Sequence, residues 1–454
     1  MAGRWFWVVV VAALVAAKAP TLVDPPYGDA TFYSNQLRLL EEQRLHLDGY
    51  RGHPELRPPL FLVATAAARA ITGPSRVTNH AMVLLAAIAL LVAAHRLALR
   101  LGATPRWARF AVVACATAPL FFAQAGLFLT DLPVAAWAAW AWVALLERRL
   151  GRFALLGSLA VLTKESAWFL CLPAALFVWR SDGWRPLRLG LALVPGAVLA
   201  AWLVVHRLLT GEAMASLHQV MIGPRFLVEA LGHSFIALDR LVLWPLALVA
   251  LVERCEAPIA RARRVTALAA ATFALCFPAP LARYVLPTLP LVAALAAVGL
   301  RRLAAARPRA ALVPALAVPL LFVVGWHHLD RGDNGGSLDA TLKYRALLDA
   351  EREAARALAA DGARWVLAHF PMASVVEAPP EDGFLPAPLA LDWTGELSRE
   401  FLCRHDFFVE TAVGGVDATP TRAALAALSA LTLHRTFGGP EPQLTVRVYR
   451  IACR

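Results

Sequence analysis

The sequence predicts a polytopic α-helical membrane protein of about eleven transmembrane helices, ending in a small extracytoplasmic α/β domain. Three observations predict it. The 454 residues are 59% hydrophobic and only 17% charged, against roughly 25% charged in soluble proteins, and the mean hydropathy is +0.58. Apolar runs near the ~20 residues that cross a bilayer recur through the first three quarters of the chain. The basic residues sit in short tracts between those runs, as in cytoplasmic loops: Arg100/Arg106/Arg109, Arg148/Arg149/Arg152, Arg180/Arg185/Arg188, Arg261/Arg263/Arg264 and Arg301/Arg302/Arg307/Arg309. The net charge of +12 is thereby explained by the membrane and calls for no nucleic-acid partner.

With the basic tracts inside, the elements follow in order. The first helix runs outward across 4–23. Arg4 before an apolar run and Ala17-Lys18-Ala19 at its end also fit a signal peptide, but the run is long enough to span and a retained helix is expected. A long outer loop with juxtamembrane helices follows at 24–77. Helix two returns across 78–98, helix three exits across 110–127, and helix four returns from Asp131 to Glu147. The segment from Phe153 to Trp179 has basic loops at both ends. It is expected as a hairpin of two short helices meeting at Thr163-Lys164-Glu165, a break tolerated where protein or a wet cavity covers it.

Helix seven exits across 187–208, helix eight returns across 233–252, and helix nine exits across 265–280. Helix ten returns from Tyr284 to Leu300, and helix eleven leaves across 310–326. This places the N-terminus in the cytoplasm and the C-terminus outside, in a multi-pass protein of the plasma (inner) membrane. Residues 1–326 form the membrane domain. Residues 327–454 form the extracytoplasmic one, with an amphipathic helix over Leu338–Ala360 and strands over Trp365–His369 and Leu444–Ile451. Cys403 and Cys453 both fall in this domain, where a disulfide is permitted by compartment but not required by sequence.

This topology collects charge on one membrane face. Asp29 and Tyr33 stand in the first outer loop, and Glu55 and Arg57 near its end. Asp131 lies in Leu129-Thr-Asp-Leu-Pro133, Lys164 and Glu165 at the hairpin tip, and Arg283 and Tyr284 before helix ten. Ionisable groups at membrane depth are costly and are usually paired or functional. Only three lysines stand among the 44 basic residues, which makes Lys164 unusual.

The motifs in their order resemble the GT-C superfamily of membrane glycosyltransferases, in the branch of protein O-mannosyltransferases and aminoarabinose transferases (glycosyltransferase families 39 and 83). The Asp-Glu-x-x-Tyr-like motif of those families corresponds to Asp29-Ala-Thr-Phe-Tyr33, with Ala30 in place of the second acid. The Lys-Pro-Pro-Leu-like element corresponds to His53-Pro-Glu55-Leu-Arg57-Pro-Pro-Leu60. Thr130-Asp131-Leu-Pro133, Leu162-Thr163-Lys164 and Arg283-Tyr284-Val-Leu-Pro287 complete the series.

The resemblance implies an inverting transfer of a sugar from a polyprenyl-phosphate donor to an acceptor outside the cytoplasm, the acceptor being a protein, lipid or glycan. Asp29 is then the general base, and Asp131 orients the acceptor or the base. Arg57, Lys164 and Arg283 are cations for the departing phosphate. Tyr33, His53, Glu55, Glu165 and Tyr284 complete the substrate-binding set. No metal or other cofactor is expected, since His53, His218 and His233 are scattered without ligand spacing.

Each residue also has a structural alternative. Asp29 fits an N-cap of a helix starting near Thr31, and Asp131 fits an N-cap ahead of Pro133. Glu55 and Arg57 fit a mutual pair, Lys164 and Glu165 an internally satisfied hairpin, and Arg283 a snorkelling interfacial cation. Two other functions compete with transfer. A transporter or flippase would favour matched broken helices in two repeats, and Ala30 leaves room for a catalytically silent scaffold.

Overall fold

Apolar helices occupy most of the first 328 residues. The computed structural model describes residues 2–43, 57–211, 238–276, 282–328, 343–368, 390–392, 400, 403–411, 426–427, 430–439 and 445–452. The first helix, α1 (Ala2–Lys18), ends in a 3-10 turn at Ala19–Thr21. Two short helices follow in the predicted outer loop, α2 (Ala30–Glu42) and α3 (Leu60–Thr72). Gly73, at φ +87°, ends α3 in the left-handed region that glycine tolerates. The Ser75 hydroxyl, accepting from the Val77 amide at 3.2 Å, then caps α4 (Arg76–Arg100).

Helix three of the sequence reading is interrupted. It consists of α5 (Pro105–Ala116) and α6 (Pro119–Gln124). Pro119 disfavours helical backbone at the residue before it, and Ala118 is extended at φ −67°, ψ 124°. The next four helices are α7 (Asp131–Leu146), α8 (Leu150–Thr163), α9 (Cys171–Asp182) and α10 (Pro186–Thr210). The expected hairpin break is present: Lys164 is extended (φ −157°, ψ 132°), and a 3-10 segment, Glu165–Leu170, leads into α9.

Four further helices complete this region: α11 (Leu238–Val252), α12 (Ala257–Cys276), α13 (Leu289–Ala306) and α14 (Pro308–His328). Helix α12 begins eight residues before the predicted start at 265, so Arg261, Arg263 and Arg264 are helical rather than part of a loop. The reason is Arg263, which is fully buried. It donates to the Leu101 carbonyl at 2.8 Å, the Ala250 carbonyl at 3.1 Å and the Glu253 carboxylate at 2.6 Å. A cation is well placed on the carbonyls that a helix leaves unsatisfied at its C-terminus.

Arg100–Glu147, Arg301–Glu253 and Arg148–Asp182 pairs join the other arginine-rich loops at the same end. Among the described residues, four stretches are long and apolar enough to cross a membrane: Gly3–Thr21, Arg76–Arg100, Pro186–Thr210 and Arg283–Ala306. Leu60–Thr72, Asp131–Leu146, Leu150–Thr163, Leu241–Val252 and Pro308–Leu321 are apolar but shorter, and prolines lie inside the last two.

Close helix approaches depend on particular glycines. A Cβ on Gly299 of α13 would overlap the Leu246 backbone carbonyl of α11, an atom that cannot move aside. Gly299→Ala is therefore expected to lower stability by about 1–3 kcal/mol. Gly190→Ala in α10, where an added Cβ meets nothing within 4 Å, is expected to be neutral or to gain about 0.5–1 kcal/mol. Thermal unfolding of the two variants in detergent checks the contrast, and equal behaviour would refute the close approach.

The C-terminal region forms a five-stranded sheet, ordered β2-β1-β3-β5-β4. The strands are β1 (Trp365–Ala368), β2 (Ala390–Asp392), β3 (Phe407–Thr411), β4 (Ala430–Gly438) and β5 (Thr445–Ala452). The two predicted strands are β1 and β5, displaced by one residue at most. Strand β1 runs parallel to β2 and β3, whereas β5 is antiparallel to β3 and β4, with a bulge between Leu433 and Arg435. The amphipathic helix α15 (Lys343–Ala360) packs on β4 and β5. Cys403 is disulfide-bonded.

Candidate active site

Five segments far apart in sequence converge away from the arginine-rich loops. Asp29 occupies the cap position of α2, yet its side chain makes no capping hydrogen bond. It pairs instead with the Arg283 guanidinium. Gly28, at φ +56°, turns the chain just before it. Asp131 is the first residue of α7, so the cap position belongs to Thr130. The Asp131 carboxylate accepts from Lys164 Nζ at 2.5 Å, and its other oxygen lies 3.5 Å from Arg283 Nε. Arg283 thus bridges the two acids.

Lys164 reaches Asp131 because the helix is broken at that residue. Its ammonium also lies 4.0 Å from the centroid of the Tyr284 ring, with Arg283 Cζ 5.3 Å from the same ring. The ring face supplies negative potential to both cations. Thr130, beside Asp131, donates to the Tyr33 hydroxyl at 3.0 Å. Burial pushes the Tyr33 phenol above its ordinary range, so this group remains a hydrogen-bond donor at neutral pH. Arg57 pairs with Glu165 at 3.4 Å, which closes the cluster on the α3 side.

Exposure separates the two carboxylates. The Asp131 side chain is 3% exposed and its partners Lys164 and Arg283 are each 6% exposed, whereas Asp29 is 39% exposed. One acid is sealed between cations; the other opens outward.

Neither a protein-family model nor a curated protein matches the chain. Solved structures do. ArnT from Cupriavidus metallidurans bound to undecaprenyl phosphate is 16% identical over 99% of this chain and 98% of that one, with a TM-score of 0.62. The apo state of the same protein gives 15% identity, the same coverage and a TM-score of 0.61. Arabinofuranosyltransferase AftD from Mycobacteria is 17% identical over 98% of this chain but 41% of its own, with a TM-score of 0.51.

The chain has the GT-C fold. Within it, Asp29, Tyr33, Arg57, Asp131, Lys164, Glu165, Arg283 and Tyr284 all fall in the one cluster just described. His53 and Glu55 lie outside the described residues, as do His218 and His233. Asp29 makes no side-chain cap, Arg57 pairs with Glu165, and Lys164 is bonded across to Asp131 of α7; the Glu55–Arg57 alternative lies outside the described residues.

Two residues beside this cluster carry no signal in the sequence. Tyr344 and Arg345, at the start of α15, reach the loop before Asp29: Arg345 Nε lies 3.2 Å from the Asp24 carboxylate, and the Tyr344 ring centroid is 5.4 Å from that of Tyr27. Nothing local in Lys343-Tyr-Arg345 distinguishes it from any amphipathic helix. Among the described residues, no group of three or more His, Cys, Asp or Glu side chains is placed to hold a metal.

Proposed function

We propose that this chain is an inverting glycosyltransferase that moves a sugar from a polyprenyl-phosphate donor to an acceptor on the extracytoplasmic face. The observation that carries the reading is the pair of carboxylates bridged by Arg283, one sealed and one open. In a single displacement the acceptor oxygen or nitrogen attacks the anomeric carbon and gives its proton to Asp29. The bond from that carbon to the phosphate oxygen breaks, and negative charge develops on the departing polyprenyl phosphate. Lys164, Arg283 and Arg57 supply cations for it. Donor phosphate competes with Asp29 for Arg283, so binding of the donor frees the base. Asp131 holds Lys164 and Arg283 in place and is a positioning residue.

The undecaprenyl phosphate bound in the ArnT structure supports the lipid class. About eleven spans with a cytoplasmic N-terminus agree with the convergence of the arginine-rich loops at one end. A disulfide at Cys403 agrees with an extracytoplasmic C-terminal region, because such bonds persist in oxidising compartments.

The test is transfer from a panel of radiolabelled polyprenyl-phosphate sugars, in membranes that hold native envelope acceptors. Wild type is expected to consume one donor, and Asp29→Asn to lose about 10²–10⁴-fold in rate. Transfer that survives Asp29→Asn would move the base to another group. A wild type that consumes no donor would sink the transferase reading.

A further inference from the structure

We propose that Tyr344 and Arg345 are positioning residues through which the C-terminal region sets the geometry of the two-acid site. The inference rests on the transferase reading and deepens it. Asp29 ends a short segment, Asp24-Pro25-Pro26-Tyr27-Gly28-Asp29, whose first four residues are buried. Two prolines restrict the first half of this segment, and the Ala30 amide, donating to the Tyr27 carbonyl at 3.0 Å, ties Tyr27 to the start of α2. Asp24 is held from two sides. Its backbone carbonyl is 2.9 Å from His80 Nε2 of α4, and its carboxylate is paired with Arg345 of α15. Tyr27, two residues before Asp29, packs on the Tyr344 ring with an interplanar angle of 34°.

The same tyrosine touches the other acid's loop. Tyr344 is fully buried, and a Cβ on Gly126 would come within 3.2 Å of its hydroxyl and 3.0 Å of Thr21 Oγ1. Gly126 lies in the turn between α6 and α7 and leads directly to Thr130 and Asp131. One end of α15 is therefore wedged between the segment that carries Asp29 and the loop that carries Asp131. The Asp24 side chain is 5% exposed. Removing Arg345 would take from a buried carboxylate the cation it is paired with, leaving Arg352 and Lys18 as more distant charges, and the segment would have to shift to rehydrate it.

Among the described residues the Tyr344 hydroxyl has no hydrogen-bond partner, so the ring rather than the oxygen does the positioning. That gives the test its discriminating arms. Tyr344→Ala and Arg345→Met are expected to lower kcat roughly tenfold or more with donor KM within about twofold, because a misplaced base costs rate rather than affinity. Tyr344→Phe is expected to stay near wild type, and Arg345→Lys to recover most of the loss. Hydrogen exchange of the 22–33 segment in full-length protein provides a readout independent of turnover, with faster exchange expected in Tyr344→Ala and Arg345→Met.

Wild-type kcat in both of those variants would overturn the proposal. So would a Tyr344→Phe loss as large as that of Tyr344→Ala, which would give the hydroxyl a role of its own. If wild type transfers no sugar, the transferase reading fails, and unchanged exchange in the variants would then overturn the clamp as well.

Discussion

Asp131→Asn is expected to abolish transfer and also to destabilise the protein, whereas Asp29→Asn abolishes transfer alone. The difference follows from burial. Asp131 is 3% exposed and faces Lys164 and Arg283, each 6% exposed. Neutralising it leaves two buried cations beside each other with one shared counter-charge fewer. Breaking a buried pair in this way costs about 3–5 kcal/mol.

Asp29 is 39% exposed, and a partly solvated pair contributes about 0–1 kcal/mol. Its loss also leaves the Arg283–Asp131 ion pair in place. Thermal unfolding of wild type and both variants in detergent separates the two cases. A further loss of charge at Lys164, in Asp131→Asn/Lys164→Met, is expected to restore part of the stability and none of the transfer, since the two sites are coupled directly. Asp131→Asn with wild-type stability would contradict the sealed arrangement.

The second large effect belongs to Glu351. It lies on the buried face of α15 between Leu347 and Leu358, fully buried, and among the described residues neither carboxylate oxygen has a hydrogen-bond partner. Burial pushes its carboxyl up to about 8 from an ordinary 4.5. The folded protein therefore holds a proton that the unfolded chain gives up above about 4.5. Stability from this group is full below that value, falls as pH rises, and levels off once the pH passes about 8.

The two values differ by an amount that corresponds to up to about 5 kcal/mol. Glu351→Gln is expected to flatten the decline between pH 5 and 8, and Glu351→Leu to stabilise the protein most at alkaline pH. Unfolding temperatures across that range decide it, and parallel curves for wild type and Glu351→Gln would refute the buried, unpaired carboxyl. Because α15 also carries Tyr344 and Arg345, loosening at high pH should appear first where that helix meets the Asp29 segment.

Much of the fold was legible from one-dimensional patterns. The hairpin break at Lys164 followed from basic loops at both ends of one apolar segment. The positions of α4, α7 and α10 followed from hydropathy alone. The start of α12 was misplaced for a definite reason. Arg261, Arg263 and Arg264 look like a loop by charge, but Arg263 is buried on the carbonyls of Leu101 and Ala250. A sequence shows that an arginine is present and not which helix ends lie within its reach. The break at Ala118 was signalled by Pro119 and went unread because the apolar run continues through it.

The site was legible as a set of residues and not as a set of partners. Motif order singled out Asp29, Asp131, Lys164 and Arg283, and they do meet. Their pairing could not be read, since Arg283 and Asp29 stand 254 residues apart and Lys164 and Asp131 stand 33 apart. Tyr344 and Arg345 carried no signal at all.

Composition, hydropathy and loop charge establish a helical membrane chain with its apolar runs separated by short basic tracts, because those properties belong to residues and short windows. Which carboxylate is sealed, which is open, and which helix of the C-terminal region braces both loops depend on how distant helices come to rest against one another. Burial and distance do not exist until the chain is packed.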